Sequence, residues 1–135
     1  MDEQGVRAVL RHYLEHSAAG REDVAHEIYT PDAVLEFPQS GERFDGVANF
    51  EPWRAQYPAT QIDFDVRRVR GGGDAWVVEL RIRYDGGPVN HGVEILEFRG
   101  DKVARETIYV MDGWEAPEWR SEWWAAPPNP VAGGS

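Results

Sequence analysis

Residues 75–110 read AWVVELRIRYDGGPVNHGVEILEFRGDKVARETIYV. Apolar and polar residues alternate along three runs of this stretch, with the period of two that a half-buried strand requires. In the first run Trp76, Val78, Leu80, Ile82 and Tyr84 share one face, while Val77, Glu79, Arg81 and Arg83 share the other. The turn-forming segments DGGP and RGDK separate the runs. An antiparallel meander of three long strands is predicted. Ile62, Phe64 and Val66, alternating with Gln61, Asp63, Asp65 and Arg67, predict a fourth strand beside it. The GGG at 71–73 is then a hairpin turn and not a phosphate loop, since no helix follows it.

The middle run poses a chemical problem. One of its faces carries Gly92, Glu94, Leu96 and Phe98, and the other Val93, Ile95 and Glu97. Whichever face is core takes a carboxylate with it. The third run offers a companion, because Glu106 lies on its more apolar face with Ala104, Ile108 and Val110. Two carboxyls on adjacent strands and one face can share a proton and act as an acid/base pair. Two blander arrangements stay open. Glu94 can sit solvated or arginine-paired at a pocket rim, and a different register would put Glu106 beside outer-face Arg81 or Arg83.

Upstream the period is helical. Asp2 can cap a helix running to about Ala19, with Val6, Val9, Leu10, Tyr13 and Leu14 at helical spacing and Gly20 to end it. A second short helix covers REDVAHEIY, and AVLEFP is a short strand with Ala33, Leu35 and Phe37 on one side. QSGERFDG reads as a loop, and VANFEPWRAQY as a third helix whose Pro52 fits only a first turn. The expected fold is α+β, a curved antiparallel sheet covered by three N-terminal helices. One domain is expected over 1–124, with a disordered tail at 125–135. DGWEAPEWRSEWW holds four tryptophans, Trp114, Trp119, Trp123 and Trp124, expected to pack over a sheet edge, a dimer partner or the pocket mouth.

Composition narrows the function. Among 135 residues, 14 Lys+Arg face 24 Asp+Glu, a net charge of −10 that repels phosphate backbones and anionic membranes. The absence of cysteine excludes a thiolate nucleophile, a Cys-ligated metal and a disulfide framework. No stretch of about 18 apolar residues could span a membrane, and the charged start lacks a signal-peptide core. A cytoplasmic location is expected. His12 and His16, four apart on the first helix, could face one metal, but no third ligand suggests itself, and His91 opens a strand on its outer face.

YTPDAVLEF, GVEILEFRGDKVARETIY and APEWRSEW, in this element order, resemble the SnoaL-like branch of the nuclear transport factor 2-like superfamily. The resemblance covers about residues 5–124. It implies a cone-shaped α+β barrel, in which helices wrap a bent sheet and close it around an apolar pocket, and often a homodimer. In isomerase-like members a tyrosine of the first helix and a protonated acid on a meander strand form an oxyanion hole. That enzyme is a standard example of an acid kept neutral by an apolar site. Over this sequence the resemblance puts Tyr13 at the tyrosine, Glu94 at the acid and Tyr29 at a supporting tyrosine. In polyketide-cyclase-like members the acid matching Glu94 is the general acid/base. The isomerase's proton-shuttling aspartate falls on Phe37, which cannot move a proton, and the cyclase-like histidine has no counterpart.

Glu94, Tyr13 and Glu106 are therefore the candidate catalytic residues. Tyr29, Phe37, Trp53, Tyr57, Trp76 and Tyr84 are candidate substrate contacts, the last four as aromatics expected near the pocket. The leading expectation is a cofactor-independent enzyme acting on an apolar ring, polyketide-like or steroid-like compound by proton transfer next to a carbonyl, with no metal or nucleotide. The alternatives are a non-catalytic ligand-binding module and an interaction subunit using the outer sheet face and the tryptophans.

Overall fold

The first helix, α1 (Glu3–Ala18), begins where the Asp2 carboxylate accepts a hydrogen bond from the Gly5 amide at 2.8 Å. It buries Val6 and Leu10, one turn apart. It ends at Gly20, whose φ of +76° lets the Arg21 amide turn back to the His16 carbonyl at 2.8 Å. After α2 (Glu22–Ala25) and a 3-10 turn (His26–Ile28) come the strands β1 (Tyr29–Phe37) and β2 (Glu42–Asp45). A 3-10 turn (Val47–Asn49) leads into α3 (Glu51–Arg54), and then to β3 (Ile62–Gly72), β4 (Ala75–Tyr84), β5 (Asn90–Arg99) and β6 (Lys102–Asp112). A last 3-10 segment covers Glu118–Trp123. This computed structural model describes residues 1–57 and 61–128, so residues 129–135 of the expected tail lie outside it.

The six strands form one sheet in the order β2-β1-β6-β5-β4-β3. The meander β3–β6 is antiparallel throughout, as its alternation requires. The expectation of a wholly antiparallel sheet needs one correction. β1 pairs parallel with β6, with a bulge between Tyr29 and Val34, so the sheet is mixed; it is curved and unclosed, with β2 and β3 as its edges. QSGERFDG, read as a loop, supplies β2, a four-residue edge strand that is mostly exposed and so lacks the apolar alternation that marks a strand. The third helix is also shorter than the pattern suggests. Pro52 sits in the first turn of α3, where its missing N–H costs nothing, and the preceding residues form a 3-10 turn instead.

Register fixes which acids face inward. Glu94 stands opposite Val78 of β4 and Ile108 of β6, and Glu106 opposite Leu96 of β5 and Leu35 of β1. Both side chains are therefore on the face shared by Trp76, Val78, Leu80 and Ile82, all buried. The other face holds Glu36, paired to Arg105 at 2.8 Å, and Arg81, paired to Asp65 at 2.9 Å. The alternative register for Glu106 is not the one adopted. The inner face packs against α1 and the Phe50 end of α3, and Val6, Leu35, Phe50, Val78 and Val103 are fully buried there.

Candidate active site

Between the helices and the inner sheet face lies a cavity of about 950 Å³. That is the size range of a small-molecule site. Its sheet wall is Leu80, Ile82, Tyr84, Glu94, Leu96, Glu106, Ile108 and Val110, and its helical wall includes Val9, Leu10, Tyr13 and Leu14. Trp53, Arg54 and Phe37 close one side, and Tyr57, Gln61 and Asp63 lie on the lining as well. A second, more open hollow of about 620 Å³ at the β1–β2 hairpin shares Phe37 and Trp53 with it. The two rings, 6.0 Å apart, thus form a partition.

The acids sit deep. Glu106 is only 4% exposed, and its Oε1 accepts a hydrogen bond from the Tyr29 hydroxyl. The same Tyr29 oxygen accepts from Arg54 Nη1 at 2.9 Å, and Arg54 Nη2 stands 3.9 Å from Glu106 Oε1. Glu94 lies diagonally across the strand pair from Glu106, within reach of long side chains. Burial raises the Glu94 pKa well above the ordinary carboxylate range, and the charge of Glu106 and a hydrogen bond to it raise it further; Arg54 opposes them less strongly. A carboxyl in that state holds its proton near neutrality and can donate a hydrogen bond.

Tyr13 comes off α1 onto the same cavity, and its ring meets those of His26 and Tyr29 edge-on at 5.3 and 6.4 Å. Burial pushes its pKa up to about 12, against the pull of Arg54. Its hydroxyl makes no hydrogen bond to another described residue, which leaves a donor for a ligand. Tyr29 is likewise buried and neutral, raised by the loss of water around it.

Two residues that sequence reasoning passed over complete the cluster. Arg54, the last residue of α3, has the rings of Phe50, Tyr13, Tyr29 and Trp53 within 5.2–5.9 Å of its guanidinium carbon. His26 is 3% exposed. Its Nδ1 lies 2.7 Å from the Glu22 carbonyl oxygen and must carry the proton there, so Nε2 accepts from Arg54 Nη1 at 3.3 Å. Burial holds its pKa below the ordinary value, and the Arg54 charge lowers it further. The only sequence signal for Arg54 was a lone cation in the aromatic segment FEPWR.

The remaining candidates divide. Tyr29, Phe37, Trp53, Tyr57 and Tyr84 all border the cavity; Tyr57 and Tyr84 stack at 5.7 Å, with Tyr57 42% exposed. The indole N–H of Trp53 is buried without a partner among the described residues. Trp76 is a correction. It points inward but lies off the cavity, packed at the β3–β4 hairpin with its N–H donating to the Gly73 carbonyl at 3.0 Å, and is ordinary core. Among the described residues no group of three His, Cys, Asp or Glu side chains is placed to hold a metal ion, and His12 Nε2 meets the Val24 carbonyl at 2.8 Å. Trp114, Trp119 and Trp123 are more than 70% exposed in the single chain, so the expected packing on its own sheet edge or pocket mouth is not found.

The model of the SnoaL-like domain matches residues 10–106. Among solved structures, an NTF-2 like protein of unknown function from Burkholderia xenovorans LB400 is 41% identical, with a TM-score of 0.81 over 93% of this chain and 98% of that one. A candidate ketosteroid isomerase from Kribbella flavida DSM 17836 is 22% identical, with a TM-score of 0.78 over 96% and 94%. A candidate polyketide cyclase from Sinorhizobium meliloti is 24% identical, with a TM-score of 0.62 over 76% and 94%. At those identities the last two establish likeness of fold alone. The comparison with curated proteins gives no match. Among the described residues no helix is long and apolar enough to cross a membrane.

Proposed function

The chain belongs to the SnoaL-like domain family, and on that footing we propose that it is a cofactor-independent enzyme moving a proton next to the carbonyl of an apolar ring compound. The observation that carries this reading is the pairing of Glu94 with Glu106 on the sheet wall of the cavity, among Leu80, Ile82, Leu96 and Ile108, with Tyr13 on the facing helical wall. A bound carbonyl oxygen takes hydrogen bonds from Tyr13 and the protonated carboxyl, which stabilises the charge that develops as the α-proton leaves. With one carboxyl donating to that oxygen, the ionised partner takes the α-proton and returns it to the substrate, so isomerisation, aldol-type cyclisation or dehydration all fall within reach of the pair. Phe37 lines the cavity, and since the resemblance assigns the isomerase-like shuttle acid to its position, Glu106 is favoured as the second acid. The homodimer that the resemblance implies belongs to the same reading.

Phe37 also gives weight to a second reading, in which the pocket holds a ligand without turning it over. Exchange of the α-protons of 2-tetralone in D2O, followed by proton NMR, separates the two. The protein is expected to accelerate exchange. Glu94→Gln is expected to lose about 10²–10⁴-fold of that acceleration, and Tyr13→Phe about 10²–10³-fold. Binding of 2-tetralone with no acceleration, unchanged in Glu94→Gln, would establish the pocket as a non-catalytic carrier.

A further inference from the structure

The two carboxyls of the cavity do not have equivalent surroundings. Around Glu106 stand the Tyr29 hydroxyl from β1, the Arg54 guanidinium from α3, the Glu94 carboxyl from β5, and, one layer further, Tyr13 of α1, His26 of the 3-10 turn and Glu22 of α2. Glu106 therefore accepts from a buried hydroxyl and lies beside Arg54, the one Lys or Arg among the described residues of the cavity lining. Glu94 has apolar Val78 and Ile108 as its cross-strand neighbours, and among the described residues its hydrogen-bond partner is Glu106. Hydrogen bonds to an ionised acceptor and a nearby opposite charge favour the charged form, while apolar neighbours favour the neutral one.

We propose that Arg54 is the positioning residue of this site: through Tyr29 it holds Glu106 as the carboxylate, and so places the shared proton on Glu94, the group that meets the ligand. The proposal rests on the proton-transfer reading for its use, but the placement itself needs no substrate. Arg54 is built for a fixed role. Its Nη1 is committed to Tyr29 and to His26 Nε2, and four aromatic rings pack about its guanidinium. His26 is in turn fixed by the Glu22 carbonyl, so it presents a lone pair and not a proton to the arginine. The cation is thus held toward the Tyr29–Glu106 side and is not free to swing to a ligand. A lysine at this position would supply charge without the fork that reaches two acceptors at once.

The test uses the full chain labelled with carbon-13 at the glutamate δ-carbons, with the two signals assigned from Glu94→Gln and Glu106→Gln. In the wild type at pH 7 the Glu94 signal is expected at the protonated position and the Glu106 signal at the ionised position, separated by the ordinary difference between the two forms of a carboxyl. In Arg54→Met the separation is expected to shrink to less than half, as Glu106 takes a share of the proton. In Arg54→Lys it is expected to recover in part. Tyr29→Phe, which keeps the cation but removes the bridging hydroxyl, is expected to move the signals in the same direction and covers the case in which Arg54→Met does not fold. Signals that stay put in both Arg54→Met and Tyr29→Phe, or a protonated Glu106 in the wild type, would overturn the proposal. Because no substrate is present, this result is independent of the tetralone exchange: unmoved signals with exchange intact remove the role of Arg54 alone, and the expected signals without exchange remove the catalytic reading alone.

Discussion

Glu94 faces Val78 and Ile108 across its two neighbouring strands, surroundings that normally hold an apolar side chain. The cost of that placement depends on pH. Burial and Glu106 raise its pKa above the ordinary 4.5, so the folded protein keeps the proton at pH values where the unfolded chain has released it. Stability from this group is full below about pH 4.5 and is lost as pH rises through the folded value. Glu94→Gln cannot ionise and escapes the loss. Its stability relative to the wild type is expected to rise with pH above 5, by at most about 1.4 kcal/mol per pH unit, in urea denaturation at pH 5, 6, 7 and 8. A difference that stays flat over that range would mean that Glu94 ionises in the folded state much as it does in the unfolded one. The inward direction of Glu94 was legible from alternation once the core face was known. Arg54 was not, because an arginine in a four-residue helix gives no periodic signal, and only the tertiary meeting of α3 with Tyr13 and Tyr29 makes it a buried cation.

At the scale of elements, the pairing of β1 with β6 builds the acid corner. Leu35 is 0% exposed and stands directly opposite Glu106, so it both anchors the strand pair and fixes the floor beneath that carboxyl. Leu35→Ala is expected to cost about 2–5 kcal/mol in thermal or chemical unfolding. A cost under 1 kcal/mol would show that the corner can collapse around the lost side chain. The meander could be read from WVVELRIRY and its neighbours because hairpin-linked strands pair in chain order and declare their faces by period. The parallel pairing could not. β1 and β6 are separated by the whole meander, and nothing local in VLEF states which strand it will lie beside. β2 escaped notice for a different reason, being a short exposed edge made of residues that also favour turns.

For the whole molecule, the curved sheet and three helical segments leave one large cavity and place on its wall a carboxyl pair, the Tyr13 phenol and an internally neutralised arginine. The fold class and the Tyr13–Glu94 combination were accessible from the order of elements and the resemblance. The network that distinguishes this site, Glu106–Tyr29–Arg54–His26, comes from four separate elements and exists only once they are assembled. A net charge of −10 and the lining carboxyls Glu22, Asp23 and Asp63 suit a ligand without negative charge. The central claim is that the oxygen of such a ligand belongs between Tyr13 and Glu94. A crystal structure with 2-naphthol, whose phenolic oxygen stands in for that of an enolate, tests it most directly. The naphthol oxygen is expected within about 2.5–3.0 Å of both the Tyr13 hydroxyl and a Glu94 carboxyl oxygen. Naphthol bound with its oxygen toward the mouth at Tyr57 and Asp63, or seated in the hollow beyond Phe37 and Trp53, would contradict the account.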